Sequence, residues 1–379
     1  MKKIIIVISL IVICFVIALS VFLVIKFNSK PTIKNYKILH DDKFGGIYID
    51  ISIDDFNKLG FAYGDSLNIK LSNGYTLSDL PYYNGYYVDA GEKLVVSYPG
   101  YKYVKVGINY GDDLWKIANV DENTTITVTL AQKEKYIKEQ LVRDIHYSDE
   151  QGNQADEEFA NFRNVNVGRI KENVFFRGAS PCNNEHKRAA VVDKLIKETN
   201  INYIVNLSDS DEEINEFIFS NDFNSPYFLS LYNDNKVVAL SMSMQFKADD
   251  FSEKLIQGLN NLSQSDGPFL IHCVEGKDRT GFVCMILEAL AGASYDEIVD
   301  DYMLTYKNYY NITKETDLER YNIIKEKNID TMLKYISNIN NENNIDLSTL
   351  DYEKNVTDFL VSKGMTLEDV TRLKDRITK

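Results

Sequence analysis

The sequence predicts an α/β protein built on a central, mainly parallel sheet flanked by helices, preceded by a small all-β region and, at the N-terminus, a membrane-spanning helix. Three patterns carry this reading. From about residue 200 onward, strand-like and helix-like runs alternate, as they do when a parallel sheet is covered on both faces. Between residues 41 and 130, short β-prone runs are separated by turn signals. Residues 4–25 form a run of 22 residues without a charge.

That charge-free run follows Lys2 and Lys3 and precedes Lys26 and Lys30. A bilayer takes about 20 apolar residues, whereas the apolar part of a cleaved signal takes about 7–15. Residues 1–30 therefore read as a signal-anchor and tether. The expected placement is single-pass in a bacterial cell membrane with the rest of the chain outside the cytoplasm, or secreted if the segment is cleaved. A bias toward Lys, Asn, Ile and Tyr fits an AT-rich bacterial genome. Residues 31–135 are the β-rich region, with strand-like runs at 67–71, 94–98, 103–108 and 124–130. Ser72-Asn73-Gly74, Asn84-Gly85 and Pro99-Gly100 are its turns, and their regular spacing suggests a compact barrel or sandwich. Near 131–143, Lys133, Lys135 and Lys138 interleaved with Glu134 and Glu139 mark the solvated face of a helix. Residues 136–379 form the third region. After an acidic linker at 147–157 it offers strand 202–207, helices 212–219 and 249–263, strand 268–272 and helix 279–292. Helical runs follow near 295–309, 315–338, 351–362 and 366–376.

The chemistry is concentrated in ten residues, His272-Cys273-Val274-Glu275-Gly276-Lys277-Asp278-Arg279-Thr280-Gly281. An apolar run, Pro268 to Ile271, precedes them and another, Phe282 to Leu290, follows. The segment thus reads as strand, loop and helix, a context in which successive loop N–H groups and the positive end of the helix dipole face one anion. A free thiol titrates near about 8.5, and such surroundings lower that value to roughly 3.5–7.5. Cys273 is then a nucleophile. Arg279 offers a planar fork that matches two phosphoryl oxygens. Val274, Glu275, Gly276, Lys277 and Gly281 complete an anion-binding loop in which the glycines permit close backbone approach. Thr280 can donate to the sulfur as it leaves, and His272 orients the loop rather than acting as a base. The route implied is transfer of a phosphoryl group to sulfur followed by hydrolysis, with loop amides and Arg279 carrying the equatorial charge.

These residues resemble the phosphate loop of the protein tyrosine phosphatase superfamily. Gly276-Lys277-Asp278-Arg279-Thr280-Gly281 is similar to its bacterial branch with atypical loops, which contains tyrosine and dual-specificity enzymes that also accept phosphoinositides. The likeness extends to residues 173–181, 201–207, 296–299 and 301–302, hence over about 160–379. It implies a cysteine-phosphatase fold, Cys273 as nucleophile, Arg279 as phosphate ligand and Thr280 as an aid to hydrolysis. One departure matters. Many relatives carry a Trp-Pro-Asp loop whose aspartate protonates the leaving oxygen, but the only tryptophan here is Trp115, followed by Lys116. The acid must lie elsewhere. Asp278 inside the loop is the first candidate and matches the atypical branch. Asp209 and Asp211 are the second, and Asp249 with Asp250 a third. Lys277 either attracts a second phosphate or an acidic flank, or balances Glu275. Arg177 either reaches the pocket as a substrate ligand or pairs with a buried carboxylate.

A net charge of −14 argues against non-specific nucleic-acid binding, which needs a cationic surface. The four cysteines and four histidines show no metal-ligand spacing, so no metal or other cofactor is expected. With Cys14 in the apolar run and Cys273 needed free, only Cys182 and Cys284 remain as disulfide partners. The expected partners are a phosphorylated protein, small molecule or lipid as substrate, and a membrane through residues 4–25. The expected activity is phosphate monoester hydrolysis, with phosphotyrosine foremost, a phosphoinositide or inositol phosphate as the alternative substrate, and a catalytically weak phosphate-binding module as the alternative role.

Overall fold

The computed structural model describes residues 30–243, 245–339 and 345–379. The chain forms two compact units that divide after Asp144.

In the first unit seven strands close into a barrel in the order β1-β2-β6-β5-β4-β3-β7. They are β1 (Thr32–His40), β2 (Ile47–Ser52), β3 (Ser66–Leu71), β4 (Thr76–Tyr83), β5 (Lys93–Val96), β6 (Tyr103–Ile108) and β7 (Thr125–Gln132). All pairs are antiparallel except β4 with β5. The period of two decides the inside. In β7, Ile126, Val128 and Leu130 are buried while Thr125, Thr127 and Thr129 are half-buried. They meet Leu67, Ile69, Val104 and Val106 in one apolar core. A buried ion pair joins Lys105 Nζ to Asp41 Oδ2 at 2.6 Å.

The second unit contains a five-stranded sheet, β8 (Arg163–Asn164), β9 (Phe175–Gly178), β10 (Tyr203–Asn206), β11 (Val237–Ala239) and β12 (Phe269–His272), in the order β11-β10-β12-β9-β8. β9, β10, β11 and β12 run parallel, and β8 is antiparallel to β9. β12 lies at the centre, and its four residues are all buried, as a strand covered on both faces requires. Ile204, Leu270 and Phe176 stand in register and pack with Val192, Leu195, Ile196, Phe228 and Leu231 of the helices Ala189–Glu198 and Pro226–Asn233. The next residues, Val205 and Ile271, face the opposite layer, where they line a small void with Leu255, Leu259 and Val283 of the helices Asp249–Gln264 and Asp278–Leu290. Helix Asp278–Leu290 is buried from Thr280 to Leu290. It is enclosed by the sheet and by the helices Tyr295–Tyr310 and Tyr352–Ser362. Helix Leu367–Ile377 packs on Asp249–Gln264.

The class expected for the chain requires correction. The largest sheet is the closed seven-stranded barrel, so an α/β protein with a central, mainly parallel sheet behind a transmembrane helix does not describe this molecule. The β-prone runs from Thr32 to Gln132 outweigh the four short parallel strands. The proposed membrane span, residues 4–25, lies outside the described residues, and among the described residues no helix is long and apolar enough to cross a membrane. The single-pass membrane placement, the extracytoplasmic location and the membrane partner are corrected accordingly.

Candidate active site

The loop Cys273–Lys277 joins the central strand β12 to the N-terminus of helix Asp278–Leu290. Its backbone is turned inside out. The Val274 carbonyl accepts from the Ser180 N–H at 3.0 Å. The Glu275 carbonyl accepts from Tyr309 Oη at 2.6 Å. The Gly276 carbonyl accepts from Arg177 Nη2 at 3.0 Å and from Asn161 Nδ2 at 3.2 Å. With its carbonyls held from outside, the loop presents its N–H groups to the interior of the turn. Among the described residues, no backbone N–H from Val274 to Arg279 finds a protein acceptor. A run of successive N–H groups without protein partners has the arrangement of an anion nest. Gly276 makes the turn possible: its φ is +68°, and a Cβ there would stand 2.2 Å from the Gly178 carbonyl oxygen.

A buried ionic cluster supports the loop from behind. Arg177 Nη1 donates to Asp301 Oδ2 at 2.6 Å, and Arg163 Nε donates to Asp301 Oδ1 at 2.8 Å. Arg163 Nη1 donates to Asn161 Oδ1 at 2.8 Å, and Asn161 passes the constraint to the loop. Burial works against the Asp301 charge, but the two guanidinium groups overcome it and hold the carboxyl far below the usual range. Glu288 lies beside Asp301; burial and that neighbour's charge push its carboxyl well above the ordinary value.

Cys273 is 4% exposed at the end of β12. Arg279 Nη1 donates to the Met242 carbonyl at 3.0 Å, while its buried Nε has no partner among the described residues. The Thr280 hydroxyl is likewise buried without a partner. His272 is fully buried, and its pKa is pushed down to about 4 by burial, with the Arg279 charge assisting. The imidazole is therefore neutral, and its Nδ1–H donates to the Cys273 carbonyl at 3.2 Å. The rim is charged. Lys277 Nζ donates to Asp278 Oδ2 at 2.7 Å and stands 3.8 Å from Glu275 Oε2. Burial opposes the Lys277 charge, but Asp278, Glu275 and the tyrosines Tyr306 and Tyr310 hold its ammonium well above the ordinary value. The Tyr147 hydroxyl donates a short hydrogen bond to Glu275 Oε1.

A sequence model described as "Tyrosine phosphatase family" matches residues 157–379, more than half of the chain and all of the loop. The chain belongs to the tyrosine phosphatase family. A tyrosine-protein phosphatase from Nostoc commune is 40% identical over 55 residues, 14% of this chain and 19% of that protein. The match thus spans about a fifth of the length of that curated relative. Among solved structures, the core catalytic domain of the PP-IP phosphatase SIW14 from S. cerevisiae, in complex with citrate, is 22% identical over 47% of this chain and 92% of that chain, with a TM-score of 0.28. An uncharacterized conserved protein from Thermotoga maritima is 20% identical over 25% of this chain and 35% of its own, with a TM-score of 0.22.

Within this tyrosine phosphatase family member, the structure brings Cys273, Val274, Glu275, Gly276, Lys277, Asp278, Arg279 and Thr280 into one turn, with His272 beneath it. Gly281 follows in the first helical turn, where a Cβ would meet the Tyr302 ring at 2.5 Å. Arg177 is not in the turn: it sits behind the loop, on the buried carboxylate Asp301, the second of its two expected roles. Asp209 is buried at the end of β10 and accepts from Ser208 Oγ at 2.7 Å and Asn206 Nδ2 at 3.0 Å. Asp211 is exposed in the first turn of helix Asp211–Ile218 and accepts from Tyr232 Oη at 3.0 Å. Asp249 and Asp250 are exposed at the start of helix Asp249–Gln264. Cys182, Cys273 and Cys284 are free thiols. Sequence reasoning missed Asn161, Arg163, Asp301, Tyr309, Tyr147 and Met242 as parts of the site. Of these, Asp301 falls in the segment 301–302 that carries part of the resemblance.

Proposed function

We propose that the chain hydrolyses phosphate monoesters through a phosphocysteine intermediate, with phosphotyrosine as the preferred substrate. The observation that carries this reading is the set of donors without partners in the loop that begins at Cys273: the loop N–H groups, Arg279 Nε and the Thr280 hydroxyl. Such donors cost about 1–3 kcal/mol each when buried and unsatisfied, unless an anion takes them up. A phosphoryl group with three equatorial oxygens suits them. In the first step the Cys273 thiolate attacks phosphorus, the S–P bond forms and the ester P–O bond breaks. Asp278 supplies the proton that the leaving oxygen takes. In the second step water attacks phosphorus and returns a proton to Asp278. The S–P bond breaks as Thr280 donates to the departing sulfur, and inorganic phosphate leaves. Loop amides and Arg279 stabilise the charge in both steps.

A second phosphate, as on an inositol polyphosphate or phosphoinositide, would need a free cation at the rim. Lys277 is the nearest, and Asp278 at 2.7 Å and Glu275 at 3.8 Å already occupy it. With that ammonium already engaged, the rim offers no free cation for a second phosphate, which favours a monophosphate on an aromatic ring. The test is turnover of para-nitrophenyl phosphate in the presence of EDTA. Cys273→Ser should abolish it, and Arg279→Ala should lower kcat/KM by about 10²–10³-fold. Retained turnover in the serine variant refutes the thiolate route. A faster rate on inositol hexakisphosphate than on a phosphotyrosine peptide refutes the substrate assignment.

A further inference from the structure

The matched family region begins at residue 157, yet a residue before it touches the catalytic loop. Residues 147–150 form a strap. Arg188, buried, clamps it: Nη2 donates to the Ser148 carbonyl at 2.9 Å and Nη1 to Asp149 Oδ1 at 3.2 Å. The guanidinium lies 4.7 Å from the Tyr147 ring centroid, and the ring stacks on Tyr309 at 4.8 Å. Tyr309 is the residue that holds the Glu275 carbonyl. The strap thus fixes the Tyr147 hydroxyl against the Glu275 side chain, while Tyr309 fixes the backbone of the same residue. Burial, reinforced by the Glu275 charge, pushes the Tyr147 hydroxyl well above its ordinary pKa, so it is a donor at every working pH.

Lys277 has two carboxylates within reach. It bonds Asp278 at 2.7 Å and leaves Glu275 at 3.8 Å. Glu275 is the carboxylate with another donor, and that donor is Tyr147. We propose that Tyr147 is a positioning residue of the active site: by holding Glu275 it keeps Lys277 on Asp278, and so keeps the Asp278 carboxyl at the mouth of the loop where a leaving oxygen departs. Without the hydroxyl, Glu275 turns to Lys277, an oppositely charged group already near contact distance, and Asp278 loses its anchor. This inference rests on Asp278 being the proton donor.

The test uses the full chain and two substrates, phenyl phosphate, whose leaving group needs a proton, and para-nitrophenyl phosphate, whose leaving group needs it far less. Tyr147→Phe keeps the ring stack and removes one oxygen. It should lower kcat on phenyl phosphate about tenfold with KM unchanged and leave para-nitrophenyl phosphate within about twofold, a smaller effect than the 10²–10⁴-fold of a deleted general acid. In the Asp278→Asn background the same change should cost nothing further. Tyr147→Phe combined with Glu275→Gln should restore the ratio of the two rates, because a neutral amide does not draw Lys277 away. Equal losses on both substrates, additive losses with Asp278→Asn, or a ratio that Glu275→Gln does not restore would overturn the proposal and leave the phosphatase reading intact. Equal losses on both substrates in Asp278→Asn alone would overturn the acid assignment, and the Tyr147 proposal with it.

Discussion

Gly276→Ala isolates the geometry of the loop from its chemistry, because it adds one methyl group and removes no donor. The residue sits at φ +68°, and the new Cβ would lie 2.2 Å from the Gly178 oxygen, 2.4 Å from its carbonyl carbon and 3.0 Å from the Ala179 nitrogen. All three are backbone atoms of β9 and the residue after it, so no side chain can swing aside. Reaching even 3.0 Å requires a displacement of about 0.8 Å. The Gly276 carbonyl is also the acceptor for Arg177 and Asn161, so the shift loosens the contacts that turn the loop amides inward. A misplacement of about 1 Å at a reacting centre costs ~10²-fold, and a non-glycine residue forced into such backbone adds strain of order 1–3 kcal/mol. The expected outcome is a loss of about 100-fold in kcat/KM on para-nitrophenyl phosphate, with a urea midpoint lowered accordingly. Gly364→Ala is the control. That glycine is at φ +102° with nothing within 4 Å of a Cβ, so it bears the strain without the collision and should leave kcat/KM unchanged. Gly276→Ala with the activity and midpoint of the parent would refute the idea that the loop is held at sub-ångström tolerance from behind.

Two further outcomes follow from the buried charges. Asp301→Ala leaves Arg163 and Arg177 without their common partner, and breaking such a pair costs about 3–5 kcal/mol, measurable by urea denaturation; a loss below about 1 kcal/mol would show that the cluster relaxes. Buried His272 is neutral with its pKa pushed down to about 4, whereas imidazole in the unfolded chain titrates near 6.5. Unfolding takes up a proton between those values, so the His272 contribution is complete above about pH 6.5 and falls away as the pH drops toward 4. The parent should lose about 2 kcal/mol between pH 6.5 and 5 relative to His272→Asn, at 1.36 kcal/mol per unit. Parallel pH profiles for the two proteins would contradict a neutral buried imidazole.

What could be read from the sequence was what is local in the sequence. Pro268 to Ile271 is an apolar run and Phe282 to Leu290 is apolar but for Glu288, and the structure makes them the central strand and the enclosed helix on either side of the loop. The side chains that shape the loop are not local. Tyr147 reaches Glu275 across 128 residues, and Asn161 reaches Gly276 across 115. No periodicity marks a residue whose role is a single distant hydrogen bond. Helix Pro226–Asn233 escaped notice for the same reason. Its first N–H groups are capped not by a neighbour but by Asp193, whose carboxylate accepts from Tyr227 and Phe228 at 3.2 Å and 2.6 Å. The run 315–338 was expected as one helix, but it contains a π-helical stretch at Lys325–Asp330, where Asn328 donates to the Tyr306 hydroxyl at 2.9 Å. The class assigned to the chain fails because it took the alternation after residue 200 as the dominant architecture and the β-rich region before residue 132 as a minor prelude, whereas those strands close into the larger sheet.

The central claim is that one sulfur carries the phosphoryl group between two bond-breaking steps. Rapid acid quench of the protein during turnover of a ³²P-labelled aryl phosphate, followed by peptide mapping, tests it most directly. The label should reside on the peptide containing Cys273, accumulate when Thr280→Ala slows the second step, and vanish in Cys273→Ser. Label on any other side chain, or steady turnover with no labelled protein in the Thr280→Ala variant, would contradict the account.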